Sequence, residues 1–182
     1  MRSAFLLFLF FICIKLPSYI MDKKTEKIID KVITNEGGYN NDHEDLGGET
    51  KYGISKRWYP HLNIPFLTLE DAKQIYYDDY YKPAKVHKLP YELQYPFFDC
   101  VINTGQKRAT KILQEAINMQ SVIPIDVDGM IGPKTLKAAQ GLTAKRFVAY
   151  RVKFYGKLIE AKPEQEKFYY GWFKRSLETL DG

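Results

Sequence analysis

A chain of 182 residues, 45% apolar and 27% charged, is long enough for one folded domain, or one domain with a small lobe, and excludes a disordered or collagen-like polypeptide. Its formal charge of +5 is too mild for a nucleic-acid-binding arm. The unusual figure is an aromatic content of 15%, with 14 Tyr and 11 Phe.

Ala4 to Ile14 is a charge-free apolar run between Arg2 and Lys15. A transmembrane helix needs about 20 residues, so the run is short for one. It fits an export signal: a basic start, a short apolar stretch, then a polar region with Pro17 and Ser18, although no small-residue cleavage site precedes Met21. Initiation at Met21 and a membrane anchor are the other two readings. Residues 1–21 are therefore expected to form a leader in transient contact with a membrane. Without it 25 basic side chains face 22 acidic ones, a charge of +3, and nucleic acid is not expected as a partner. Cys13 lies in the leader and Cys100 stands alone in the body, so the body can form no internal disulfide; a buried structural thiol is expected.

The body opens with a helix over Asp22–Asn35, where Ile28, Ile29, Val32 and Ile33 recur at helical spacing. Gly37-Gly38 ends it. The next stretch, rich in Gly, Asn and Asp, predicts short strands around Thr50–Ser55. Thr68 is an N-cap with acids behind it, and Leu69, Ala72, Ile75, Tyr76 and Tyr80 mark one face of a helix closed by Pro83. Further helices are expected from Pro96 to Asn103, from Arg108 to Met119, after Gly132-Pro133, from Thr143 to Ala161, and from Pro163 to near Leu180. Asp126 to Gly129 reads as a turn. The architecture is mainly helical, with a small β-element after the first helix.

Chemistry concentrates in Asn35 to Ser55. Glu36 ends an apolar-faced helix, so its carboxyl is expected in a groove with apolar walls, where low dielectric suits a general acid. Asp45, nine residues on, lies in a polar loop and is expected to stay ionised. Two carboxyls in different environments match glycosidic bond cleavage, and Thr50 could hold a water or a substrate hydroxyl. A helix-end Glu beside a solvated acidic loop is the plainer alternative. No metal is expected: Asp42 to Asp45 are adjacent and cannot all face one ion, and Asp126 to Gly129 lacks the acidic twelfth position of a calcium loop, which is Lys137. Trp58 and Trp172 are expected to pack, as are most of Tyr76, Tyr77, Tyr80 and Tyr81.

Glu36-Gly37-Gly38-Tyr39, Asp42, Asp45, Gly47-Gly48, Thr50 and Tyr52-Gly53-Ile54-Ser55 resemble the signature of the glycoside hydrolase 108 muramidases of the lysozyme superfamily, which includes phage endolysins and secretion-associated enzymes. Phe98-Asp99 to Gly105, Arg108-Ala109, Leu113-Gln114, Val127-Asp128-Gly129, Ile131-Gly132-Pro133 and Thr135-Leu136 look like the family's C-terminal peptidoglycan-binding region. Phe168 to Arg175 resembles its closing Trp-containing helix. The likeness spans residues 25–176.

The resemblance implies a lysozyme-like α+β fold of two helical lobes, with a catalytic lobe at 22–90 and a peptidoglycan-binding lobe at 91–182. It places the catalytic glutamate on Glu36 and, by similarity to the Glu-Asp-Thr arrangement of tailed-phage lysozymes, its companions on Asp45 and Thr50. One residue more separates Thr50 from Gly53 than in that pattern, and Asp42 competes for the role of Asp45. Tyr39, Asp42, Tyr52 and Asn103 are the expected substrate contacts, although a helix C-cap is the favoured role of Asn103. The implied substrate is the glycan strand of peptidoglycan, cleaved between N-acetylmuramic acid and N-acetylglucosamine without a cofactor by a monomer. The alternative is a non-catalytic peptidoglycan-binding module. An endolysin or wall-remodelling enzyme would be exported to the periplasm or wall, or would stay cytoplasmic until released through a holin if translation starts at Met21.

Overall fold

The computed structural model describes residues 21–37, 39–40 and 48–181. Leader residues 1–20 and the candidates Asp42 and Asp45 lie outside these residues. Among the described residues no helix is long and apolar enough to cross a membrane.

Helix α1 spans Lys23–Glu36 and starts where Asp22 accepts the backbone N–H groups of Lys24 and Thr25. Three two-residue strands follow, β1 (Tyr39–Asn40), β2 (Thr50–Lys51) and β3 (Ile54–Ser55), in an antiparallel sheet of that order. Helix α2 covers Leu69–Ile75. Then come α3 (Tyr91–Thr104), α4 (Gln106–Asn118), α5 (Pro133–Ala138), α6 (Ala144–Ala161) and α7 (Tyr169–Glu178). The fold is the mainly helical, lysozyme-like one expected from the sequence, with its β-element directly after α1. One buried cluster runs from Ile28 of α1 through Phe97 and Phe98 of α3 to Leu113 of α4 and Phe147 of α6. Helix α3 is its axis and packs against α1, α4 and α6.

Local capping signals translate directly into structure. Thr68 accepts from the Asp71 N–H at 3.1 Å, while the Asp71 carboxylate accepts from the Thr68 N–H at 3.3 Å, a complete capping box. Thr68→Ala is expected to cost about 1 kcal/mol in urea denaturation; a change within error would show that Asp71 alone holds this helix end. Thr143 caps α6 in the same way through the Arg146 N–H.

Five expectations need correction. Helix α3 starts at Tyr91, after Pro90, and runs through Pro96. The missing Pro96 N–H is outweighed by burial of Leu93, Phe97, Phe98 and Val101 on the same helix. Leu69, in the first turn of α2, stays exposed, while Lys73 goes inside and pairs with Asp30 at 2.8 Å and Glu26 at 3.2 Å on α1. After α2 the chain widens into a π-helix over Tyr76–Tyr81; bonding five residues apart brings Tyr76 and Tyr81 to one face, and both are buried. Finally Trp58 is 76% exposed rather than packed, and the expected last helix is divided into a 3-10 segment, Pro163–Phe168, and α7. Trp172 does pack, stacked on Tyr155 at 4.9 Å between ring centroids. Cys100 is a buried free thiol, and burial pushes its pKa up, away from nucleophile character.

Candidate active site

Glu36 is the last residue of α1, and the positive φ of Gly37 (86°) turns the chain away behind it. Facing it is the β2–β3 turn. Two residues join Thr50–Lys51 to Ile54–Ser55, and both, Tyr52 (φ 53°) and Gly53 (φ 75°), have positive φ, as a tight type I′ hairpin requires. The Tyr76 hydroxyl donates to the Tyr52 carbonyl at 3.1 Å and pins the turn. Burial, then the nearby Glu36 carboxylate, push the Tyr76 hydroxyl pKa up.

Gly53 is required by space as well as by backbone. A Cβ there would collide with the Tyr76 hydroxyl and lie 3.0 Å from Cβ and 3.1 Å from Cγ of Glu36. Gly53→Ala is therefore expected to destabilise the fold by roughly 1–3 kcal/mol and to lower activity by displacing Glu36. Thermal unfolding and activity, measured on the same variant, check this. An alanine variant unchanged in both would remove the turn from the site.

The walls around Glu36 are not the apolar ones expected. Arg175 of α7 brings Nη2 to 2.6 Å from Glu36 Oε1. The same guanidinium grips Asp99 of α3, with Nε 3.0 Å from each carboxylate oxygen and Nη2 2.8 Å from Oδ1. Asp99 is wholly buried and also meets Arg151 of α6, Nη1 to Oδ2 at 2.7 Å, which is wholly buried too. Burial pushes the Asp99 carboxyl pKa up, but Arg151 and Arg175 outweigh it and hold it below the usual value. Burial likewise opposes the Arg175 charge, and the bonds to Asp99 and Glu36 reverse that. Glu36 remains 23% exposed, so one side of its carboxyl is open while Oε1 is held.

The polar chain continues beyond Asp99. Arg151 Nε donates to the Tyr155 hydroxyl at 3.3 Å, and that hydroxyl donates to Asn103 Oδ1. Asn103 thus sits at the far end of the network that starts at Glu36, its carbonyl oxygen already engaged. Thr50 lies on β2 opposite Asn40 and Ser55, and its hydroxyl donates to the Gly48 carbonyl at 3.1 Å. The Tyr39 backbone pairs with Lys51, which places it in the same sheet. Tyr52 packs partly against the core, with the Lys51 ammonium 5.5 Å from its ring centroid. No group of three or more metal-binding side chains occurs among the described residues.

Asp99, Arg151 and Arg175 were missed by sequence reasoning. The trace was there: Asp99 interrupts an otherwise apolar stretch from Pro96 to Ile102, and Arg151 falls at the inward spacing of Phe147, Val148 and Tyr155.

Residues 29–105 match the family described as glycosyl hydrolase 108, and residues 108–177 match a predicted peptidoglycan domain. Among solved structures, that of Brucella abortus SagA is similar at 27% identity, covering 86% of this chain and 91% of that one with a TM-score of 0.69. No functionally curated protein matches the chain.

Proposed function

We propose that the chain, whose residues 29–105 match glycosyl hydrolase 108 and whose residues 108–177 match a predicted peptidoglycan domain, a pairing that points to a peptidoglycan hydrolase, is an N-acetylmuramidase with Glu36 as general acid. The observation that carries this reading is the Glu36–Arg175 contact at 2.6 Å, backed by the buried Asp99. A general acid becomes anionic as its proton moves to the leaving oxygen. A guanidinium already in place on Oε1 stabilises that developing charge without reorganisation, and Oε2 is left for the proton and the glycosidic oxygen. Asp45, or Asp42 in its place, would stabilise the sugar cation or activate water, with Thr50 orienting it. Tyr39, Tyr52 and Asn103 are the proposed sugar contacts. The apolar run at 4–14 would serve export to the wall, as an endolysin or a remodelling enzyme requires; sequencing the mature N-terminus tests that part.

Product chemistry tests the bond. Murein digested by the enzyme and reduced with borohydride should yield muramitol at the new ends. Glucosaminitol instead would make the chain a glucosaminidase. No new reducing ends, together with co-sedimentation with murein, would make it a non-catalytic binding module.

A further inference from the structure

A cavity of about 450 Å³ lies between α1, α3 and the start of α6. Lys27 and Lys31 of α1 and Lys145 of α6 line it, against one acid, Glu92, with Tyr91 and Tyr95 of α3 as flat walls. Neither Lys27 nor Lys145 forms an ion pair among the described residues. The Lys31 ammonium rests 5.1 Å from the Tyr95 ring centroid, and Lys24 rests 5.4 Å from that of Tyr91. Three cations converging on aromatic walls beside a single acid make a site for a carboxylate-bearing chain of mixed polar and aliphatic character.

The cavity is flanked by α1, the helix that ends at Glu36. Lys27, Lys31 and Asn35 follow one another at spacings of four on α1. A smaller cavity shares Lys31 and Tyr95 with the first and reaches Asn35, the neighbour of Glu36. Asn35 donates to the Tyr95 hydroxyl at 3.4 Å. At 1.5 Å of rise per residue, Lys27 stands about 12 Å from Asn35 along the axis. An extended peptide covers about 3.3–3.6 Å per residue, so three or four residues span that distance. Glu178 and Asp181 line the nearer cavity, which repels carboxylates there and favours an amine. Anionic groups therefore settle at the far end, among the lysines.

We propose that this cavity holds the short acidic peptide stem borne by N-acetylmuramic acid, its distal carboxylates on Lys27, Lys31 and Lys145. The proposal rests on the muramidase reading: the sugar that bears the stem is the one cut beside Glu36, and the stem has the length, carboxylates and amine that the two cavities match. Binding the stem orients the strand and makes the enzyme prefer peptide-bearing over bare glycan.

The test compares the wild type with the double variant Lys27→Ala/Lys145→Ala on two substrates: murein strands carrying their stems, and the same strands stripped by an amidase. Both lysines are exposed, so the fold should tolerate the change. The variant should lose at least about tenfold in kcat/KM on stem-bearing strands and stay within twofold of wild type on stripped ones. Equal losses on both substrates, or none on either, would overturn the proposal. A calorimetric titration of Glu36→Gln protein with a disaccharide tetrapeptide reads the cavity without turnover. Its Kd should rise about tenfold when the two lysines are also removed. If wild type cuts neither substrate while this titration behaves as expected, the muramidase reading fails and the stem site stands. An unchanged Kd, or lysine-dependent binding of inorganic polyphosphate in place of the muropeptide, sinks the stem site.

Discussion

Glu36→Gln should slow murein clearance by about a thousandfold or more while leaving the protein folded and able to sediment with murein. General acid catalysis contributes about 10²–10⁴ in rate, and the amide has no proton to give at neutral pH. The substitution is nearly isosteric. The amide oxygen can still accept from Arg175 Nη2, and Arg175 keeps its bonds to Asp99, so no buried charge is orphaned. Turbidity loss, thermal unfolding and pelleting should therefore separate cleanly: the first collapses and the other two barely move. A variant that still clears murein within tenfold of wild type would remove Glu36 from the chemistry.

The largest stability loss is expected at Asp99. Asp99→Asn removes the negative charge that faces two guanidinium groups, and Arg151 is as buried as Asp99 itself. Breaking a buried pair from one side typically costs about 3–5 kcal/mol, because the surviving charge is left without compensation in low dielectric. Domains are stable by only about 5–15 kcal/mol, so the variant should be near its limit. Acidity supplies an independent check with a fixed sign. Burial tends to raise the Asp99 pKa, Arg151 and Arg175 lower it by more, and the folded value lies below the unfolded one of about 3.9. The stabilisation is thus complete at neutral pH and is lost as pH falls below about 4 through the folded value. Urea denaturation at pH 7 and at pH 3 should show the gap between wild type and Asp99→Asn narrowing in acid. A gap below about 1 kcal/mol at pH 7 would mean that the ion cluster does not hold the helices together.

What could be read from the sequence was local. Thr68 and Thr143 cap the helices that they announce because a cap is a contact over two or three residues. Gly53 was legible as part of a motif, though its reason, contact with Glu36 and Tyr76, was not. The π-helix at Tyr76–Tyr81 and the passage of α3 through Pro96 escaped because packing overrode local preference at both. Glu36 stood out through its neighbours Gly37 and Gly38. Its true environment did not, since that is created by Arg175, and no periodicity within α1 can report a charge delivered by a helix far along the chain.

That distance also has a consequence in time. Arg175 reaches back 139 residues to Glu36 and 76 to Asp99. Contacts of such long sequence separation close late in folding, because the chain entropy of the loop must be overcome before the contact returns anything. Helix α1, its cap and the hairpin can form from neighbouring residues, whereas the counter-charge for Glu36 arrives only when α7 docks on α6. The Glu36–Arg175–Asp99 cluster is therefore expected to be among the last parts of the molecule to form, and a half-folded chain would carry Glu36 without its counter-charge.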